Sequence, residues 1–293
     1  MGKPQWKQML TLRPVRISLF AASALFALLL WRTVFPSHVT TMPFFYSADQ
    51  GSLRFRTQIA GQPHPLEFDT LMTKTALGSG VYRQLSHQEV GIDQLNPAAD
   101  FALGSYRARL FYAEIAETEL RPYTDGALGL DMFVPSSGFE GENRRPGARL
   151  TLDFKASLMH IEDGPELAPL HLPEGTAEAP LLRDADGRYY LLLPLNDGAS
   201  YRFALGIGTR DVQLPTGSVH VLSRDGTGYA NPIGIVPITL TFGAQDLSVQ
   251  AVGLRETQTT GVLGMSLLSQ YRVVLDFRNR RLYLEPANSP SDF

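Results

Sequence analysis

Residues whose types and spacing could carry out chemistry are sparse in this sequence, and most familiar arrangements fail at a definite position. The six histidines, His38, His64, His87, His160, His171 and His220, stand alone, with no His-x-x-x-His or His-Glu-x-x-His pair to hold a metal. Cysteine is absent, which removes disulfides, thiolate nucleophiles and cysteine-based zinc sites together. The run Gly206-Ile207-Gly208-Thr209-Arg210-Asp211 lacks the third glycine of a dinucleotide loop, and the following Val212-Gln213-Leu214-Pro215 does not start a helix. Gly264-Met265-Ser266-Leu267-Leu268 lacks the closing glycine of a nucleophile elbow. Asp184-Ala185-Asp186-Gly187 opens like a calcium loop, lacks the later ligands, and reads as a turn. No metal and no cofactor are expected. Carboxylates remain. A pair of them can do acid and base catalysis when they share one proton, because their repulsion splits the two pKa values. A lone aspartate titrates as an ordinary one unless burial raises its pKa.

The elements that must position these groups are strands. From about Phe44 onward, short alternating or apolar runs such as Leu53-Arg54-Phe55-Arg56-Thr57, Tyr189-Tyr190-Leu191-Leu192-Leu193 and Arg272-Val273-Val274-Leu275-Asp276-Phe277 are separated by Gly, Pro, Asn and Asp. With 26 glycines and 20 prolines as punctuation, the pattern predicts an all-β chain, with short helical turns at Gln84-Leu85 and Leu267-Leu268. The chain also repeats itself. Arg149-Leu150-Thr151-Leu152-Asp153-Phe154 recurs 123 residues later as Arg272-Val273-Val274-Leu275-Asp276-Phe277, and Glu162 falls on Glu285 at the same offset. Gly129-Leu130 matches Gly264-Met265, while Gly61 and Leu66-Glu67-Phe68-Asp69 match Gly198 and Phe203-Ala204-Leu205-Gly206. The first copy is longer, with the excess placed in a surface loop over Pro135 to Gly147.

Each copy reads as a strand, a glycine turn, an apolar strand entering a short polar motif, further strands, an apolar-apolar-Gly motif, and a strand ending in Asp-Phe. This order resembles the retropepsin-like and pepsin-like aspartic peptidases, whose polar motif is Asp-Thr/Ser-Gly. The resemblance covers residues 50 to 287 and is most specific over Gly261 to Pro286. It implies two homologous pepsin/retropepsin-like β-barrel lobes in one chain: lobe one over 44–163, a linker over 164–187, and lobe two over 188–287. It implies that Asp69 and Thr70 are what is left of the first catalytic motif, with Leu71 in place of its glycine. In the second motif Gly206-Ile207-Gly208 stands where Asp-Thr-Gly belongs, so the second acid is lost. Gly129 and Gly264 mark the crossing apolar motifs, and Tyr106 and Tyr112 fall where the family carries its lobe-one flap.

Other acids replace the missing one poorly. Asp211 lies on a strand leaving the turn, Asp131 reads as a cap on the segment that follows it, and Asp153 and Asp276 recur in both copies, which argues for a structural role. A homodimer would bring two Asp69 copies together but leave each second lobe idle, so oligomerisation is not required. The expectation is an inactive aspartic-peptidase-like protein that binds an extended peptide or protein segment in the inter-lobe cleft. The alternatives are an active endopeptidase using Asp69 with an unidentified or dimer-supplied carboxylate, and a non-enzymatic assembly module.

The N-terminus sets the compartment. Lys3, Lys7, Arg13 and Arg16 in a basic tail over 1–16 precede an apolar run from Ile17 to Trp31, which Arg32 can extend to Phe35 by snorkelling. Ser37 to Met42 offers no small-x-small cleavage site, so the sequence favours an uncleaved transmembrane helix over 17–35 to a removed signal. The charge bias puts the tail in the cytoplasm and the rest in the periplasm or exterior, as a single-pass protein of a bacterial-type inner membrane. A net charge of −3, from 26 basic and 29 acidic residues scattered along the chain, gives no cationic face for nucleic acid.

Overall fold

Alternation of buried and exposed side chains builds the strands. In Ser52–Ile59 the inward set Leu53, Phe55, Thr57 and Ile59 is buried, while Arg56 and Gln58 face water. A computed structural model describes residues 38–88, 98–134, 147–196, 198–215, 235–253 and 259–287, and over these the chain is all-β. The expected tail over 1–16, the membrane helix over 17–35 and nearly all of the Pro135 to Gly147 loop lie outside them. Among the described residues no helix is long and apolar enough to cross a membrane.

In chain order the first half contains β1 (His38–Pro43), β2 (Phe45–Ser47), β3 (Ser52–Ile59), β4 (Gln62–Phe68), β5 (Ala76–Gly78), helix α1 (Ser79–Gln88), β6 (Ala98–Leu103), β7 (Tyr106–Phe111), β8 (Ala113–Ile115), β9 (Gly126–Leu128), β10 (Arg149–Asp153) and β11 (Leu158–Asp163). There follow β12 (Ala177–Pro180), β13 (Leu182–Arg183), β14 (Tyr189–Pro194), β15 (Ser200–Gly206), β16 (Val212–Leu214), β17 (Ile235–Phe242), β18 (Gln245–Gly253), β19 (Gly261–Gly264), the one-turn helix α2 (Met265–Leu268), β20 (Tyr271–Asp276) and β21 (Arg281–Pro286). The two expected helical turns lie within α1 and α2. The stretch 164–187 is not a plain linker, because β12 and β13 form inside it: Ala177 and Ala179 are small enough to be buried in β12, which pairs along β21.

The strands form three sheets. One runs β7-β6-β3-β4-β9-β5-β8, with β2 added to β3, and another runs β13-β14-β15-β19-β16-β18-β17. Their pairings correspond: β4 runs parallel to β9 as β15 does to β19, β9 is antiparallel to β5 as β19 is to β16, and β5 is parallel to β8 as β16 is to β18. The third sheet, β1-β11-β10-β20-β21-β12, takes strands from both halves. Its central pair, β10 and β20, joins the copies of the repeated hexapeptide antiparallel, from Arg149 opposite Asp276 to Leu152 opposite Val273.

The repeated charges serve this third sheet. Arg149 Nη1 meets Glu162 Oε2 at 2.9 Å, and Arg272 Nη1 meets Glu285 Oε2 at 3.0 Å. Arg149 also reaches Asp276 at 3.2 Å, in a setting where Arg149, Asp276 and Glu285 are all buried. Buried ions of this kind need partners on every side. Asp153 accepts the amide of Ala156 and Asp276 that of Asn279, each fastening the hairpin turn that follows. Their repetition is structural.

Candidate functional site

Two turns meet where the parallel strand pairs end. Asp69 follows β4 and is fixed there by its amide, which donates to Leu128 O on β9 at 3.1 Å. In the second half β15 ends at Gly206, opposite Gly264 at the end of β19. Gly129 and Gly264 have the same use. A Cβ on Gly129 would come within 2.5 Å of Lys74 C, and one on Gly264 within 2.2 Å of Asp211 O, so each lets the chain leaving its turn cross an apolar strand at backbone contact.

Thr70 joins the turns. Its amide donates to Ile207 O at 3.1 Å, its hydroxyl donates to Leu205 O at 2.7 Å, and the same hydroxyl oxygen accepts from the Ile207 amide at 2.9 Å. Ile207 carries no hydroxyl to return this bond, so the junction is one-sided. Both residues are buried. Gly208, at φ +103°, lies flat against Asp69, because a Cβ there would come within 3.2 Å of Phe68 O and 3.4 Å of the Asp69 Cα. Leu71 needs no such freedom, since its φ is not in the left-handed region, and its amide donates to Asp69 Oδ1 at 2.8 Å.

The surroundings of Asp69 decide its chemistry. Burial pushes its pKa up, opposed by the Leu71 amide and by the positive charge of Arg121. The carboxylate coupled to Asp69 is Glu67, two residues back near the end of β4, rather than any acid of the second half. Glu67 is 7% exposed, and burial raises its pKa to about 7 against the pull of Arg121 and Arg54, with Asp69 pushing the same way as burial. Arg121 ties the cluster together. Its Nε stands 3.3 Å from Glu67 Oε1, Nη1 donates to Gln50 O at 2.5 Å, and Nη2 donates to Gly208 O. A guanidinium therefore reaches the Gly206 to Gly208 turn, and Asp69 makes no hydrogen bond to another carboxylate among the described residues.

The remaining expected residues are placed elsewhere. Asp211 is about half exposed and pairs with Arg210 at 3.7 Å. Asp131 accepts from the Thr75 amide at 3.0 Å and the Thr75 hydroxyl at 2.7 Å, clamping the approach to β5, and the amides of Met132 and Asp131 in its own segment also act on it; burial raises its pKa to about 6. The flap expectation for Tyr106 and Tyr112 is corrected. Both are buried: Tyr106, at an inward position of β7, stacks on Phe133 and donates to Met132 O at 2.8 Å, and Tyr112, between β7 and β8, packs edge-on against Tyr82. Among the described residues no cluster of three or more His, Asp or Glu could hold a metal ion.

Sequence reasoning passed over Glu67 and Arg121. Glu67 carries a readable signal, an acid at an inward position two residues before Asp69. Arg121 carries none, being 54 positions away in a loop. Two open concavities, of about 470 and 610 Å³, lie away from the junction, one over Gln58, Gly61 and Asp100, the other beside Arg149, Arg278 and Arg281. Scanned against models of known protein families the chain matches none, and no curated protein matches it.

Proposed function

We propose that this chain is a non-hydrolytic, two-lobed protein of the pepsin-like type, held at a membrane by its N-terminal helix, which binds an extended peptide or protein segment by strand addition. One observation carries the proposal: Asp69 lies against Gly208 and within the field of the Arg121 guanidinium, and it makes no hydrogen bond to a carboxylate of the second half among the described residues. Proton sharing needs two acids in contact, and here one is opposed by a cation. The repeated strand pairings and the Thr70 crossing support two lobes, and β17, an edge strand of its sheet among the described residues, offers a place for an added strand.

An assembly module without a cleft ligand is the alternative, favoured by the way Arg121 fills the centre of the junction. One experiment separates the outcomes. The full chain in detergent is incubated with a diverse peptide mixture from pH 3 to 8, with cleavage followed by mass spectrometry and binding of labelled extended decapeptides by fluorescence anisotropy. Saturable binding without cleavage, unchanged in Asp69→Asn, is the expected result. Cleavage lost in Asp69→Asn would make the protein an active peptidase, and no binding of any peptide would leave the assembly role.

A further inference from the structure

Glu67 is a buried carboxylate with a single charged partner in contact. A carboxylate presents four acceptor sites, and water or several donors normally fill them. Here the side chain is 9% exposed and its one polar partner among the described residues is Arg121 Nε at 3.3 Å. Arg121 divides its other donors between Gln50 O in the first half and Gly208 O in the second. The charged groups acting on Glu67 are Arg121 from the loop before β9, Asp69 just after β4 and Arg54 on β3, while the second-half turn at Gly206 to Gly208 contributes only backbone.

We propose that Glu67 and Arg121 form a proton-controlled catch between the two halves, shut when Glu67 is neutral and released when Glu67 ionises. A neutral carboxyl fits the closed junction because it needs few partners. An ionised one gains hydration by moving into water, and with it Arg121 loses its anchor beside Gly208. Linkage fixes the direction: the closed form binds the proton more tightly than water-exposed carboxyl does, so a rise in pH through 7 favours opening. The catch is independent of peptide binding and does not rest on the function proposed above.

Amide hydrogen exchange tests it on the full chain in detergent, at pH 5.5 and 8.5 and corrected for intrinsic exchange. The reporters are the Thr70 and Ile207 amides, whose bonds cross the junction. Their protection should fall about tenfold on going to pH 8.5, with about thirtyfold as the ceiling set by linkage. Glu67→Gln should hold high protection at both values, and Arg121→Gln should lower it at both. A fall that persists in Glu67→Gln, or one removed only by adding Asp69→Asn, would overturn the assignment to Glu67. Unchanged protection in Arg121→Gln would remove Arg121 from the catch.

Discussion

Replacing Glu67 by Gln should make the protein more stable at neutral and alkaline pH, against the usual expectation for deleting an ion pair. Glu67 is buried and its pKa rises from 4.5 to about 7, chiefly from desolvation and in spite of Arg121 at 3.3 Å. A folded-state pKa raised above the unfolded value contributes stability that is complete below about pH 4.5 and is lost as pH climbs through 7. At about 1.4 kcal/mol for each tenfold change in proton affinity, the difference has a ceiling of about 3 kcal/mol. Glutamine keeps the shape and removes the charge, so at pH 8 the variant should exceed the parent by up to that amount and at pH 4 it should match it. For a chain of this size the gain corresponds to about 6–12 °C in melting temperature. Urea unfolding followed by far-UV circular dichroism at pH 4 and 8 measures it, provided the denaturant dependence is unchanged. A variant less stable than the parent at pH 8 would show that the attraction of Arg121 outweighs desolvation, and would refute the reasoning.

Thr70→Val should lose about 2–4 kcal/mol, because it strands the Leu205 carbonyl and the Ile207 amide in a buried place, whereas Thr70→Ser should lose much less. Chemical denaturation of the two variants side by side checks this, and equal losses would mean that the methyl group matters more than the hydroxyl. Arg149→Met should cost about 3–5 kcal/mol at neutral pH by leaving the buried Asp276 and the partly buried Glu162 without their cation, and chemical denaturation measures it.

Strand content, the duplicated order of elements and the paired turn aspartates were legible in the sequence because each is written in adjacent or regularly spaced residues. The alternation in β3 chooses a strand, and Asp153 and Asp276 find their partners three residues on. Gly129 and Gly264 could be picked out by repetition, though the backbone crossing that demands them shows only when Lys74 and Asp211 are placed beside them. Tyr106 and Tyr112 were misplaced because the face a strand residue takes depends on register, and a shift of one position exchanges core for solvent. The junction itself was decided by tertiary structure alone. Thr70 finds its partners across 135 and 137 residues, and Arg121 meets Glu67, Gln50 and Gly208 from a loop whose sequence carries no mark of them. Such contacts arise when separate sheets dock, and no local pattern encodes which distant side chain will fill the space where two turns meet.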